Sequence, residues 1–312
     1  MGIVKAICTS DVRGVQKHEV QQAVFTPEWG IEGDAHGGNW HRQVSLLSFD
    51  KIEAFRAKGA QIDFGAFGEN LVVSGFDFRA LPVGSLLRCG EVLLEMTQIG
   101  KECHTHCEIY KVMGDCIMPR EGVFARVLQG GTIRVGDEMK LEHRSEPRPF
   151  QAAVITLSDK GARGEREDKS GPAIVQRLTA EGYEVVETLL LADEQAVLQK
   201  QLIRLCDQRQ LDLILTTGGT GFSHRDVTPE ATMAVAQRNA PGIAEAIRAA
   251  SMKITSRAML SRGVSVIRGK TLIINLPGSP KAVAESMDVF LDTIPHAMTL
   301  LRGEGGECAR TM

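Results

Sequence analysis

The residues best suited to chemistry lie in three runs in the second half of the chain. Leu213-Ile-Leu-Thr-Thr-Gly-Gly-Thr-Gly-Phe222 leads an unbroken apolar stretch into Gly218, Gly219 and Gly221, and His224, Arg225, Asp226 and Thr228-Pro229 follow at once. An apolar run without alternation reads as a buried parallel strand. Glycines at its end let backbone N–H groups approach phosphate oxygens closely, in the crevice beyond the strand's carboxyl end. Thr228 followed by Pro229 reads as a helix cap with Pro at the first helical position. The second run, Ser158-Asp-Lys-Gly-Ala-Arg-Gly-Glu-Arg-Glu-Asp-Lys-Ser-Gly171, is glycine-rich and dense in both charge signs. By itself it is equally a flexible exposed loop. The third, Asn275-Leu-Pro-Gly-Ser-Pro280, reads as a turn with a helix cap at Ser279.

The first half offers Gly30-Ile-Glu-Gly-Asp-Ala-His-Gly-Gly38 with Trp40-His-Arg42, then Gly68-Glu-Asn70, then Lys101-Glu-Cys103-His-Thr-His-Cys107. Asp34, His36, His41 and Arg42 stand close enough to form a metal or anion site, or a surface loop with one satisfied histidine. Lys101, His104 and His106 favour a thiolate at Cys103. A zinc site at Cys103, Cys107 and Cys116 lacks a second pair at structural spacing, and the other open reading of these thiols is buried and inert.

The elements that must position these groups fall into two kinds. The segment Leu141–Phe150 is polar, charged and carries two prolines, which sets a boundary near residue 147. Before it, Val44–Ser48, Asn70–Ser74, Ser85–Cys89, Val92–Thr97 and Thr132–Val135 are short β-rich runs between glycines. They predict a compact, mostly antiparallel β domain, a closed or half-closed barrel. After it, strands Val154–Leu157, Val185–Leu190, Leu211–Thr217 and Thr271–Leu276 alternate with helices Ala173–Glu181, Glu194–Arg209 and Ala240–Thr255. That rhythm predicts a mainly parallel sheet covered by helices on both faces. In an open parallel sheet the three candidate loops share one rim.

Composition excludes several classes. Of 312 residues, 36 are Lys or Arg and 39 Asp or Glu, a formal net charge of −3, whereas a nucleic-acid binder carries a basic excess. No apolar stretch reaches membrane-spanning length, and the start of the chain reads as a first strand. Seven irregularly spaced cysteines suit free thiols in a reducing compartment, so a cytoplasmic protein is expected. Gly218-Gly-Thr-Gly221 lacks the full glycine-to-acid arrangement of a dinucleotide site, which disfavours an oxidoreductase.

The runs SDKGARGEREDKSGP, LTTGGTGFSHRDVTPEAT and LSRGVSVIRGKTLIINLPGSPKAV, in this order across Phe150–Gly303, closely resemble the molybdopterin adenylyltransferases. These are the MogA type in bacteria and the G domains of gephyrin-like proteins in eukaryotes. The resemblance implies a three-layer α/β domain, usually trimeric, that adenylylates the terminal phosphate of molybdopterin with ATP and Mg²⁺. Asp226 would hold Mg²⁺, and Asp168 would position the metal or the attacking phosphate. Gly218, Gly219, Thr220, Gly221 and Thr228 would serve the phosphates. Asn275, Pro277, Gly278 and Ser279, with Ser158 and Asp159, would bind the pterin or its phosphate. Related MoaB-type members include scaffolds with lost or reduced catalysis. A non-catalytic cofactor carrier is therefore the alternative, and the presence of both aspartates favours activity.

GDAHGG, GEN and the late cysteine, across Val4–Leu141, resemble the MOSC domain. That implies a β-barrel-like fold that binds molybdenum cofactor or handles its sulfur, with Cys103, His36 and Arg42 at the site. The expected organisation is a MOSC domain over 1–146 and a MogA-like domain over 150–312. The expected partners are molybdopterin, ATP, a molybdate-inserting enzyme and a separate sulfur donor, since the chain has no PLP-lysine domain. A homotrimer is expected, with neither nucleic acid nor membrane as a partner.

Overall fold

A computed structural model of the chain describes residues 1–102 and 115–304. It comprises two compact units, Met1–Arg148 and Pro149–Met312. Among the described residues no helix is long and apolar enough to cross a membrane.

Among its described residues the first unit has eleven strands: β1 Gly2–Thr9, β2 His18–Val20, β3 Gln22–Thr26, β4 Gly30–Ile31, β5 Val44–Ser48, β6 Leu71–Ser74, β7 Leu86–Cys89, β8 Val92–Ile99, β9 Val123–Gln129, β10 Gly131–Arg134 and β11 Glu138–Glu142. The order β11-β7-β8-β9-β5-β6-β1 closes through a β1–β11 pairing into a seven-stranded barrel, with β2 added to β1. Every pairing in the ring is antiparallel except β5 with β6. Closure removes the open sheet edges. Inward residues such as Val4, Leu46, Leu87, Leu94, Met96 and Val127 fill the lumen as one apolar cluster. A second cluster packs the helix α1 (Phe49–Arg56) against the outside through Ile52, Phe55 and Phe67. The expected barrel is the observed one.

The second unit has a six-stranded sheet in the order β13-β12-β14-β17-β16-β15. Its strands are β12 Gln151–Leu157, β13 Glu184–Leu191, β14 Leu213–Thr217, β15 Arg238–Asn239, β16 Ser265–Arg268 and β17 Thr271–Leu276. β13, β12, β14 and β17 run parallel, and β16 and β15 continue antiparallel. Side chains alternate between two buried faces. Val154, Leu213, Leu215, Leu272 and Ile274 join one apolar cluster, and Ala153, Ile155, Ile214 and Ile273 join the other. The first is covered by Ile174, Leu178, Val283 and Met287 from helices Ser170–Ala180 and Pro280–Phe290; the second is covered by Leu198, Leu202, Ala231 and Val235 from helices Gln195–Ile203 and Thr228–Val235. This is the expected three-layer α/β arrangement.

Two details differ from the sequence reading. The helix expected over Glu194–Arg209 is α-helical over Gln195–Ile203 and widens to a π-turn over Arg204–Gln208. The antiparallel edge strands were not foreseen, being two and four residues long. Chain order places β13 on one side of β12 and β14 on the other. The carboxyl ends of β12 and β14 therefore flank a topological switch point, where open α/β sheets form their crevice.

Candidate functional site

At that switch point lies a cavity of about 720 Å³, within the size range of small-molecule sites. Its wall includes Ser158 beyond β12, Asp193 beyond β13, Gly218 and Gly219 beyond β14, and Gly278 and Ser279 beyond β17. Four strand ends thus contribute. The glycine pair is required by the backbone: Gly218 and Gly219 have φ of 93° and 63°. A Cβ at Gly218 would stand 2.3 Å from the Leu157 carbonyl, and one at Gly219 would stand 2.4 Å from Thr228 Oγ1. Three hydroxyl groups pin these turns by donating to carbonyls: Thr228 to Gly218 (2.9 Å), Thr217 to Pro277 (2.7 Å) and Ser170 to Gly278 (2.9 Å). Ser279 Oγ accepts from Ala282 N and caps helix Pro280–Phe290, so a helix amino end faces the same space.

Three aspartates line the cavity, Asp168, Asp193 and Asp226, with Glu167 beside Asp168. Asp168 Oδ1 accepts from the N–H groups of Ser170 and Gly171, both at 3.0 Å, at the start of helix Ser170–Ala180. Asp226 Oδ2 accepts from Ser223 N at 2.9 Å, which folds the loop back on itself. Asp193 and Asp159 exchange backbone N–H to carboxylate hydrogen bonds in both directions, at 2.9 and 3.1 Å. Arg225 then grips Asp159 with two hydrogen bonds of 2.9 and 2.8 Å and reaches Glu194 at 3.1 Å, tying together the loops after β12, β13 and β14. The Arg225 guanidinium holds the Asp159 carboxyl down at about 2. Burial pushes the Asp193 carboxyl up, and the charges of Asp159 and Asp226 push it further. Among the described residues no group of three or more His, Cys, Asp or Glu is arranged to hold a metal ion, so a divalent cation here would rest on Asp193 and Asp226 together with the phosphate oxygens it brings.

The structure brings Ser158, Asp168, Gly218, Gly219, Asp226, Gly278 and Ser279 together on one wall. Others serve the wall from behind. Thr228 begins its helix, with Val227 rather than Thr228 as the capping residue, and ties down Gly218. Pro277 offers its carbonyl to Thr217, Asp159 is held by Arg225, and buried Thr220 accepts from Arg262 N at 3.0 Å. Gly221 contacts Asp226, where a Cβ would stand 2.9 Å from Oδ2. Asn275 is buried in the sheet. Its Nδ2 donates to Thr216 and Thr232, and its Oδ1 accepts from Val264 N, so its amide is committed internally.

In the barrel unit the Gly30–Gly38 loop rests on a buried ion pair. Lys17 Nζ meets Asp34 Oδ2 at 2.6 Å, with both side chains 1% exposed. Asp34 also accepts from Ser10 N, His36 N and Asn70 Nδ2, and Asn70 in turn accepts from Ser45. Asp34 is therefore a foundation of the loop and not a surface ligand. His36 is partly exposed, with Nδ1 3.3 Å from Asp34 Oδ1, and Arg42 lies over the rings of Trp40 (4.7 Å) and Phe124 (5.6 Å). His41 contacts Gln98 at 2.8 Å. Cys103, Cys107, His104 and His106 lie outside the described residues. Cys8, Cys89 and Cys116 are buried, and burial pushes the Cys89 thiol up to about 12.

Residues 32–140 match the MOSC domain family, and residues 153–296 match the family described as "Probable molybdopterin binding domain". The molybdopterin adenylyltransferase of Helicobacter pylori is 43% identical over 152 residues, covering 48% of this chain and 86% of that protein. The Escherichia coli molybdopterin adenylyltransferase is 40% identical over 175 residues, covering 51% of this chain and 89% of the relative. The chain belongs to the molybdopterin adenylyltransferase family. Its barrel unit is a MOSC domain placed ahead of the family's domain. A solved structure of the molybdopterin biosynthesis enzyme MoaB from Thermus thermophilus is 46% identical, covering 51% of this chain and 99% of that one, at a TM-score of 0.48.

Within this adenylyltransferase-family domain, sequence reasoning passed over Asp193. The signal was available, because Asp193 directly follows a strand that the sequence does predict, and strand ends share the rim. Lys169 and Arg166, also on the wall, were read only as part of a charged loop.

Proposed function

We propose that the C-terminal unit transfers the adenylyl group of ATP to the terminal phosphate of molybdopterin, and that the MOSC unit receives and carries the cofactor. A phosphate oxygen of the pterin attacks the α-phosphorus of ATP, the bond from that phosphorus to the bridging oxygen breaks, and pyrophosphate leaves. No covalent enzyme intermediate is needed. Alignment and charge neutralisation suffice. The observation that carries the reading is the convergence of Asp168, Asp193 and Asp226 on one glycine-walled cavity at the switch point.

Mg²⁺ suits this donor set, because it is held by one or two carboxylates together with substrate phosphates. Asp226 and Asp193 would hold it, and when bound it offsets the charge of the phosphates. Asp168 keeps the start of its helix closed while facing the cavity. Gly218 and Gly219, on the cavity wall, would offer backbone amides to phosphate oxygens. Ser158, Gly278 and Ser279 line the part of the wall that would take the pterin side. In the MOSC unit His36, Arg42 and Cys103 are the proposed cofactor groups. A molybdate-inserting enzyme and a sulfur donor are the proposed partners.

The test is pyrophosphate release from ATP by the purified full chain, with and without molybdopterin. The reading requires release that depends on the pterin and yields an adenylylated product by mass spectrometry. Pterin binding without pyrophosphate release would identify a carrier instead.

A further inference from the structure

Charge is distributed unevenly around the switch-point cavity of the α/β unit. Four carboxylates stand on its wall, Glu167, Asp168, Asp193 and Asp226, and the cations of the same wall are Arg166 and Lys169. Both cations lie between the short helix Asp159–Ala162 and the helix Ser170–Ala180, bracketing Glu167 and Asp168. Both side chains are exposed, and neither is spent inside the protein. Among the described residues Arg166 has no hydrogen-bond or ion-pair partner. Lys169 meets Glu167 at 3.8 Å, with the two side chains 72% and 80% exposed, a pairing that contributes little at a surface. Other cations nearby are committed. Arg163 gives Glu165 two hydrogen bonds of 2.8 and 2.9 Å, and Arg225 is held by Asp159 and Glu194. The backbone under the free pair is nevertheless fixed. Ser170, directly after Lys169, donates its N–H to Asp168 at 3.0 Å and its hydroxyl to the Gly278 carbonyl at 2.9 Å. Two unspent cations are therefore anchored at the rim of an acid-walled cavity.

We propose that Arg166 and Lys169 hold the β- and γ-phosphates of ATP and receive the pyrophosphate as it leaves. The proposal rests on the adenylyl-transfer reading and deals with a charge that this reading leaves unmatched. A pterin phosphate oxygen forms a bond to the α-phosphorus. The bond from that phosphorus to the bridging oxygen breaks, and its electron pair stays on that oxygen. Pyrophosphate thus departs with one more negative charge than its two phosphates carried within ATP, and no proton has to move. Groups that meet this charge where it develops stabilise the transition state more than the bound substrate. Gly218 and Gly219 offer only neutral amides, and the four carboxylates oppose the charge, so side-chain cations on the wall are restricted to this pair. Arg166 suits paired contact with two phosphate oxygens, and Lys169 supplies a point charge. Their place at the exposed rim suits the product that must reach solvent.

The full-length protein is compared with Arg166→Gln, Lys169→Gln and, as a control on the same loop, Arg163→Gln. Initial rates are measured against ATP and against molybdopterin. Binding of labelled pyrophosphate and of AMP is measured separately by equilibrium dialysis. Arg166→Gln and Lys169→Gln should each weaken pyrophosphate binding and raise the KM for ATP about tenfold, the scale of one charged hydrogen bond. The KM for molybdopterin should stay at the wild-type value, as should the affinity for AMP, which lacks both outer phosphates. Melting temperatures should match wild type, because both side chains are exposed. Unchanged constants for ATP and pyrophosphate overturn the proposal. An equal loss in Arg163→Gln overturns it too, since any charge on the loop would then serve. A rise confined to the KM for molybdopterin also overturns it and moves the pair to the attacking phosphate. If the wild type releases no pyrophosphate, the transfer reading falls and dialysis alone decides the pair. Weaker pyrophosphate binding in both glutamine variants then keeps the site, and unchanged binding removes it.

Discussion

Three aspartates face one cavity from three different strand ends, and their surroundings assign them different work. Asp226 and Asp193 are the carboxylates proposed to hold the metal: each accepts from a backbone N–H, and Asp193 is burdened by burial and by two neighbouring charges. Asp226→Asn and Asp193→Asn should each lower pyrophosphate release by several kcal/mol of transition-state stabilisation, on the order of 100-fold or more. Their thermal unfolding should match wild type. Wild-type turnover in either variant would remove that residue from the chemistry. Asp168 is different, since one of its oxygens closes a helix. Asp168→Ala should cost about 1 kcal/mol of stability through the lost cap, whereas Asp168→Asn keeps an acceptor oxygen and should restore the melting temperature. If turnover returns with it, the residue acts through the helix alone. At this scale the sequence made Asp226 and the glycine pair legible, because a buried strand ending in glycines has few other uses. Asn275 misled for a physical reason. It looks like the first residue of a turn, but β17 runs to Leu276, so the Asn275 side chain belongs to the sheet and bonds Thr216 and Thr232.

Among the elements, the barrel's strands were readable from β-branched runs between glycines, and the parallel core from apolar runs separated by helices. The short edge strands Arg238–Asn239 and Ser265–Arg268 were not, because a polar pair and four residues carry no usable period. Gly68-Glu-Asn70 was legible as a motif but not as a task. In the fold Glu69 is fully buried in the connection into β6, accepting from Gly65 N at 2.8 Å and Phe67 N at 3.0 Å. Burial raises its carboxyl from 4.5 to about 7, against the opposing pull of those amides and of Lys17. The folded state therefore binds a proton that the unfolded chain releases. The associated stability is fully present below pH 4.5 and is lost as pH rises through about 7. Unfolding of the barrel unit should therefore occur at lower temperature at pH 8 than at pH 5. Glu69→Gln should flatten that slope, since the amide keeps an acceptor and does not titrate. Calorimetry across this range checks it, and an unchanged slope in Glu69→Gln would assign the pH dependence elsewhere.

For the whole molecule, the surface that bears on assembly is on the α/β unit, where large apolar side chains are exposed. Phe222 is 69% exposed, Met259 62% and Ile254 58%, with Leu260 and Met252 less so. The hydrogen bond from Arg262 N to Thr220 O sets the Ser256–Leu260 segment beside the loop that carries Phe222. Arg262 also reaches the Gly221 and Asp226 carbonyls, so the apolar segment and the loop bearing Asp226 share one support. Isolated exposed apolar residues need no explanation, but a contiguous group of them would suit a contact surface. The occupant proposed is another copy of this chain, in the trimer that the family resemblance implies, since cyclic assembly can close such a surface without leaving an open end. Sedimentation equilibrium at micromolar concentration should give three times the chain mass. Phe222→Asp with Met259→Asp should shift it toward the monomer, because each buried carboxylate would lack a partner. Turnover should fall with dilution in the same range, as the loop bearing Asp226 loses the support of the covered segment. A wild-type chain that sediments as a monomer, with turnover independent of concentration, would leave these side chains without a partner of their own kind.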